Sequence, residues 1–133
     1  MGTCLHSQLA NAVTERRALA PDPSNTLPRK VGSLYTAAPA PCQQTTTVDI
    51  AMVDDRDYDL AIYCVDWDRQ GRRQTVDLFD LTTYKRLAPA QLLEAFEEGK
   101  YLIFRCRGSV RIRINQIRGD NAVLNALFFD RRE

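Results

Sequence analysis

The sequence predicts an all-β fold, an antiparallel β-sandwich or barrel. About six or seven runs rich in β-branched and aromatic residues follow one another, with turn signals at roughly ten-residue spacing. The turns are short, which favours antiparallel neighbours, and no β-α-β alternation is present. Residues 58–81, YDLAIYCVDWDRQGRRQTVDLFDL, set the pattern. Two strand-like runs flank a charged turn there, and the stretch reads as the central hairpin of the sheet.

In chain order, residues 1–20 form an amino-terminal arm with a weak helical pattern at Leu5, Leu9 and Val13, and residues 21–133 form a single β-sandwich domain. Pro21, Pro23 and Pro28 remove backbone donors and mark a loop, residues 31–36 suit a short strand, and Pro39 and Pro41 break the chain again. Residues 45–52 alternate, with Val48, Ile50 and Met52 on the apolar side. Residues 58–67 carry apolar side chains on both parities, the mark of a strand covered on both faces. Gly71 sits in the turn DRQGRR, placed to take a positive φ. Residues 89–99 predict one or two helical turns, with Pro89 at the first turn, Leu92, Leu93 and Phe96 on one face and Gly99 closing it. Residues 100–107 are a strand, Arg107 and Gly108 turn the chain, and residues 109–117 put Val110, Ile112 and Ile114 inward and Arg111, Arg113 and Asn115 outward. Residues 122–129 are the closing strand.

At 133 residues the chain suffices for one core. Its net charge of +1 gives no global pull toward nucleic acid or anionic membrane. No apolar run approaches the ~20 residues of a membrane span. The opening MGTCLHSQLANAVTERR lacks a basic start followed by an apolar core, so it is not read as a secretory signal. Cys4, Cys42, Cys64 and Cys106 show no metal-ligand spacing, and no metal site is read from them. Cys64 and Cys106 read as small buried hydrophobes, with a disulfide between adjacent strands as the alternative. A sole histidine, His6, with no visible partner supports no catalytic triad, and an enzyme is not expected.

Three segments, YDLAIYCVDWDRQGRRQTVDLFD, FEEGKYLIFRCRGSVRIRI and GDNAVLNALFFD, resemble in order and spacing the carboxy-terminal β-sandwich modules of secreted bacterial carbohydrate-active enzymes. These are of galactose-binding-like or carbohydrate-binding-module-like jelly-roll type. The resemblance rests on Asp66, Trp67 and Asp68; Gly71 and Arg72; Gln74, Thr75 and Val76; Phe96, Gly99, Tyr101 and Leu102; Val110, Ile112, Arg113 and Ile114; and Asn121, Ala122, Val123, Phe128 and Phe129. Ala126 stands where such modules usually have glycine. The resemblance implies a jelly-roll sandwich, a non-catalytic accessory role, carbohydrate as partner and a secreted setting.

Two constellations follow. Trp67, Asp68 and Arg72 suit a sugar site, with an aromatic platform beside charged hydrogen-bonding groups; the competing reading pairs Asp66 with Arg72 across the turn and has Trp67 complete the core. Phe104, Arg111 and Arg113, with Arg105, Arg107 and Arg118, form a basic and aromatic patch if the Arg107-Gly108 turn is a hairpin, which sets Phe104 opposite Arg111 and Leu102 opposite Arg113. That patch suits an anionic sugar, a phosphate backbone or an acidic protein surface; the competing reading has arginine stems covering outward apolar residues on a solvated sheet face, and burial of the patch in a homodimer is the alternative partner reading. Gly71 and Asn121 read as structural turn residues. Asp54, Asp55, Asp57 and Asp59 carry oxygen ligands for Ca²⁺ but lack the glycine and bidentate glutamate of a calcium loop, so solvated turn aspartates are the expectation and no cofactor is assigned.

Overall fold

A computed structural model of the chain describes residues 5–13, 29–36 and 45–132. Among these the elements are β1 (Leu5–Val13), β2 (Arg29–Thr36), β3 (Thr45–Ile50), β4 (Asp57–Cys64), β5 (Arg73–Asp80), β6 (Arg86–Leu93), β7 (Lys100–Arg107), β8 (Val110–Arg118), β9 (Val123–Leu124) and β10 (Ala126–Arg131), with no helix. One sheet has the order β3-β8-β5-β6. Facing it are the ladders β1-β2-β9 and β10-β4-β7, and every pairing is antiparallel. β9 and β10 are separated by Asn125 alone, whose N–H donates to the Tyr63 carbonyl at 3.0 Å while its Oδ1 accepts from the Val65 N–H at 2.8 Å. One nearly continuous strand thus pairs first with β2 and then with β4.

The core lies between the sheets. Tyr58, Leu60, Ile62 and Cys64 from β4 meet Val76 and Leu78 from β5 and Val110, Ile112 and Ile114 from β8, with Phe96 and Ala122 closing the space. Alternation drives this arrangement: inward β8 residues are buried and the intervening Arg111 and Arg113 are only part-covered. Gln74 is fully buried, and its amide donates to the Val123 carbonyl at 2.8 Å and accepts from the Val123 N–H at 2.9 Å. Both halves of a buried amide are therefore satisfied, and they tie β5 to β9 across the sandwich.

Four sequence expectations are corrected. Residues 58–81 are not a hairpin, because β4 pairs with β7 and β10 while β5 pairs with β6 and β8; the charged turn is an arch from one sheet to the other. β7 and β8 are likewise unpaired with each other, so Phe104 lies opposite Leu60 and Leu102 opposite Ile62, both packed on the core, and neither faces Arg111 or Arg113. The helix expected over residues 89–99 is absent. Arg86–Leu93 is the edge strand β6, whose register slips between Val76 and Leu78, and a proline is tolerated where an edge or bulge asks no donor of it. Ala95 at φ 50° and Gly99 at φ 88° then bend the chain in a sense no right-handed helix follows. The weak helical pattern at Leu5, Leu9 and Val13 falls in β1, a strand paired with β2.

Cys64 and Cys106 are buried free thiols. In the β4/β7 ladder Cys64 faces Lys100 and Cys106 faces Tyr58, so six residues of strand, about 20 Å, separate them and exclude a disulfide. Burial pushes the Cys64 thiol up to about 12 and the Cys106 thiol up to about 11. Cys4 and Cys42, and the proline-rich stretches at 21–28 and 39–41, lie outside the described residues.

Candidate functional site

The arch between β4 and β5 is built on Asp66, which is 1% exposed. Its carboxylate accepts from the backbone N–H groups of Gln70 (3.2 Å), Gly71 (2.8 Å) and Arg72 (3.1 Å), and from Arg72 Nη1 at 2.6 Å. Arg72 also binds Asp68 and donates through Nε to Asn121 Oδ1 at 2.8 Å. Burial opposes the charge on Arg72, and the bonds from Asp68 and Asp66 more than offset it, so its pKa is raised. The hydrogen bond from Arg72 holds the Asp68 carboxyl below its usual range. Gly71, at φ 74°, turns the chain so that its N–H meets Asp66. Arg72 is thus committed to three side chains at 6% exposure, and Trp67 beside it is half-buried. The arrangement fixes the arch and leaves little of Arg72 for a ligand.

The outer face of β3-β8-β5-β6 carries Arg111 and Arg113. Arg111 makes a bidentate contact with Asp49 at 2.7 and 2.9 Å, and its guanidinium lies 5.3 Å from the Tyr84 ring centre. Arg113 bonds Asp77 at 3.0 Å, and its guanidinium lies over Phe79 at 4.8 Å, with Arg86 over the same ring at 5.1 Å. Charges and rings on this face are satisfied by one another, and the Phe79 ring is occupied by cations. Arg118 sits at the far end of β8, and Phe104 points into the core from the other sheet. The structure does not assemble Phe104, Arg111 and Arg113 into one patch.

The outer face of β10-β4-β7 differs. Register places Tyr101 beside Tyr63, Ile103 beside Ala61, Arg105 beside Asp59 and Arg107 beside Asp57, with Phe128 across from Ala61. Tyr63 is buried, and the Tyr101 ring lies over it at a centroid distance of 4.7 Å, with Phe128 6.1 Å from Tyr101. Tyr101, Ile103 and Phe128 are 52%, 68% and 43% exposed. Three exposed apolar side chains thus flank the central strand β4, two on the edge strand β7 and one on the edge strand β10, and they make this face the candidate contact surface. Sequence reading missed it because residues 100–107 are apolar on both parities, so alternation does not say which set faces out.

Gly99 supports this platform. A Cβ there would stand 2.6 Å from Cε2 and 2.7 Å from Cζ of Tyr63, whose ring also packs against Tyr101. Gly99→Ala is therefore expected to cost about 2–3 kcal/mol, from overpacking plus the positive φ, and to displace Tyr63 and Tyr101 together. A urea midpoint and the aromatic proton shifts of the two tyrosines check this.

Beyond the platform the same face ends in a cleft lined by Asp55, Arg56, Asp57, Arg105, Arg107, Arg131 and Arg132. Arg107 Nε donates to Asp57 at 2.7 Å, Arg132 reaches Asp59 at 2.8 Å and Arg131 reaches Asp54 at 3.2 Å. The bond from Arg107 holds the Asp57 carboxyl below its usual range, and that from Arg132 does the same for Asp59. Asp54, Asp57 and Asp59 therefore serve as arginine anchors, and among the described residues no cluster of three metal-ligating side chains is found.

No protein-family model matches the chain, and no curated protein matches it in sequence. Solved structures do match in fold. The enzymatically active domain of bacteriophage CBA120 tailspike protein 4 aligns over 96% of this chain at 9% identity with a TM-score of 0.53. The chain spans 18% of that domain's length. A CBM4 carbohydrate-binding module aligns over 77% of this chain and 75% of its own length, at 10% identity and a TM-score of 0.52. A CBM61 module solved with β-1,4-galactotriose aligns over 95% of this chain and 88% of its own, at 10% identity and a TM-score of 0.49. With the facing sheets, the matches to the tailspike domain and the CBM4 module show the fold of the chain to be an antiparallel β-sandwich.

Proposed function

We propose that the chain is a non-catalytic accessory module that binds carbohydrate weakly, through the outer face of β10-β4-β7. The observation that carries this is the Tyr101–Phe128 pair, exposed, propped from below by buried Tyr63, and free of the guanidinium cover that occupies Phe79 on the opposite sheet. Pyranose rings present apolar C–H faces with polar edges, which suit an aromatic surface bordered by Asp/Arg pairs. Likeness of fold to a CBM4 module supports the reading, as does the sequence resemblance. The two most buried carboxylates, Asp66 and Asp77, are each tied by arginine, an arrangement suited to holding shape rather than moving protons. Attachment to a secreted carbohydrate-active enzyme is the setting in which such a module would work.

Titration calorimetry of the full chain against a panel of neutral and acidic oligosaccharides tests the proposal. At least one glycan is expected to bind, and Tyr101→Ala is expected to weaken it about tenfold, the loss of roughly 1.4 kcal/mol that an aromatic contact supplies. Absence of binding to every glycan overturns it. A second reading, docking on a protein partner or a second copy, is favoured by Ile103, which is 68% exposed on the edge strand β7. Sedimentation showing a dimer that Ile103→Lys dissolves would select that reading.

A further inference from the structure

The platform and the arginine cleft share one face. Tyr101, Ile103, Arg105 and Arg107 follow one another at two-residue steps on the outer side of β7. Each step is about 6.7 Å, so roughly 13 Å separates Tyr101 from Arg105 along the strand, more than one sugar ring and within reach of a short oligosaccharide.

The cleft's arginines are of two kinds. Arg107, Arg131 and Arg132 are anchored to Asp57, Asp54 and Asp59 at 2.7, 3.2 and 2.8 Å. Arg105 comes no nearer to Asp59 than 3.9 Å, beyond hydrogen-bonding distance, and Asp59 is already engaged by Arg132. The Arg56 guanidinium has no ion pair or hydrogen bond among the described residues, although its backbone N–H is fixed by Asp54 at 3.2 Å. Two planar guanidiniums thus line the cleft with their donors uncommitted, on a frame held by three ion pairs. Asp55 lines the same cleft and Asp130 lies across from Asp59, so the surroundings are close to neutral and selectivity must come from directed donors rather than from bulk charge. Guanidinium forks match the planar or tetrahedral oxygens of an oxyanion bidentately.

We propose that Arg56 and Arg105 form an oxyanion subsite, and that the ligand is an acidic oligosaccharide whose ring stacks on Tyr101 while a carboxylate or sulfate group on a neighbouring sugar enters the cleft. The ligand class rests on the carbohydrate reading above; the oxyanion site adds to it. Because both guanidiniums are solvent-facing, their contribution is screened by salt, whereas stacking on Tyr101 is not.

The test titrates the full chain with neutral galacto-oligosaccharides, oligogalacturonides and sulfated galacto-oligosaccharides of equal length, at 50 and 500 mM NaCl. The wild type, Arg56→Gln/Arg105→Gln and Tyr101→Ala are compared, with urea midpoints confirming that the variants fold. Expected are an affinity for one acidic series about tenfold above the neutral one at low salt, loss of that margin in the double arginine variant and at high salt, and a fall in both series for Tyr101→Ala. The uronate and sulfate arms identify the oxyanion. Equal affinity for neutral and acidic ligands, unchanged in the arginine variant, overturns the oxyanion subsite and leaves carbohydrate binding standing. Failure of all three series to bind overturns the oxyanion subsite, and absence of binding across the wider glycan panel overturns the carbohydrate reading with it.

Discussion

Replacing Asp66 by alanine is expected to lower the stability of the chain by about 3–5 kcal/mol, the range for removing one partner of a buried, hydrogen-bonded charge pair. Three backbone N–H groups, of Gln70, Gly71 and Arg72, lose their acceptor at once, and the Arg72 guanidinium keeps Asp68 as its only carboxylate. Domains of this size are commonly stable by about 5–15 kcal/mol, so the change takes a large part of the total. Urea denaturation reads it as a lower midpoint at constant slope. Combining it with Arg72→Met separates the causes. Partial recovery is expected, because the stranded charge is gone while the orphaned N–H groups remain. A midpoint unchanged by Asp66→Ala would show that the arch is held by other contacts.

The same arch shows what the sequence could convey. Several strands were legible: residues 100–107 coincide with β7, and the double apolar parity of residues 58–67 fell on β4, which lies between β7 and β10, whereas β1 and β6 carried helix-like spacing and were not. Partner choice was not. A charged, glycine-containing turn serves a hairpin within one sheet and an arch between two sheets equally well, since Gly71 and Gly108 need only a positive φ in either case. Which occurs depends on contacts made far along the chain, such as Gln74 with Val123, that no local pattern encodes.

That ambiguity displaced the candidate site. A hairpin at Gly108 would put Phe104 beside Arg111; an arch turns Phe104 inward and exposes Tyr101 and Ile103 instead. The Asp66–Arg72 pair was legible as an ion pair across the turn, because two opposite charges flank one glycine. Its burial followed only from the strands packed around it. The local pattern makes Gly99 the end of a helix, whereas its missing Cβ makes room for a tyrosine from a strand more than thirty residues earlier, a requirement with no local signature.

Asp77→Asn is expected to destabilise the chain by about 2 kcal/mol at neutral pH, and the deficit is expected to shrink as the medium is acidified. Asp77 is 3% exposed on β5, and its carboxylate accepts from Arg86, from Arg113 at 3.0 Å and from Asn115 at 3.1 Å. Burial pushes its pKa up, but the bonds from Arg86 and Arg113 outweigh it, so the folded value lies below the ordinary one. A carboxyl with a depressed folded pKa contributes its full stability above the unfolded value of about 3.9 and loses it as pH falls through the folded value. Wild type and variant should therefore differ most at pH 7, where Asp77 is ionised in both states, and converge as pH falls from the unfolded value through the lower folded one. Asp49 and Asp68 are also depressed by arginine and weaken both proteins in the same direction on acidification, so the quantity to follow is the difference between the two midpoints. The arginines that Asp77 holds are those over Phe79, and in the variant their freedom should appear as a shift of the Phe79 ring protons. A difference that stays constant from pH 7 to pH 3 would mean that Asp77 acts through packing and not through its charge.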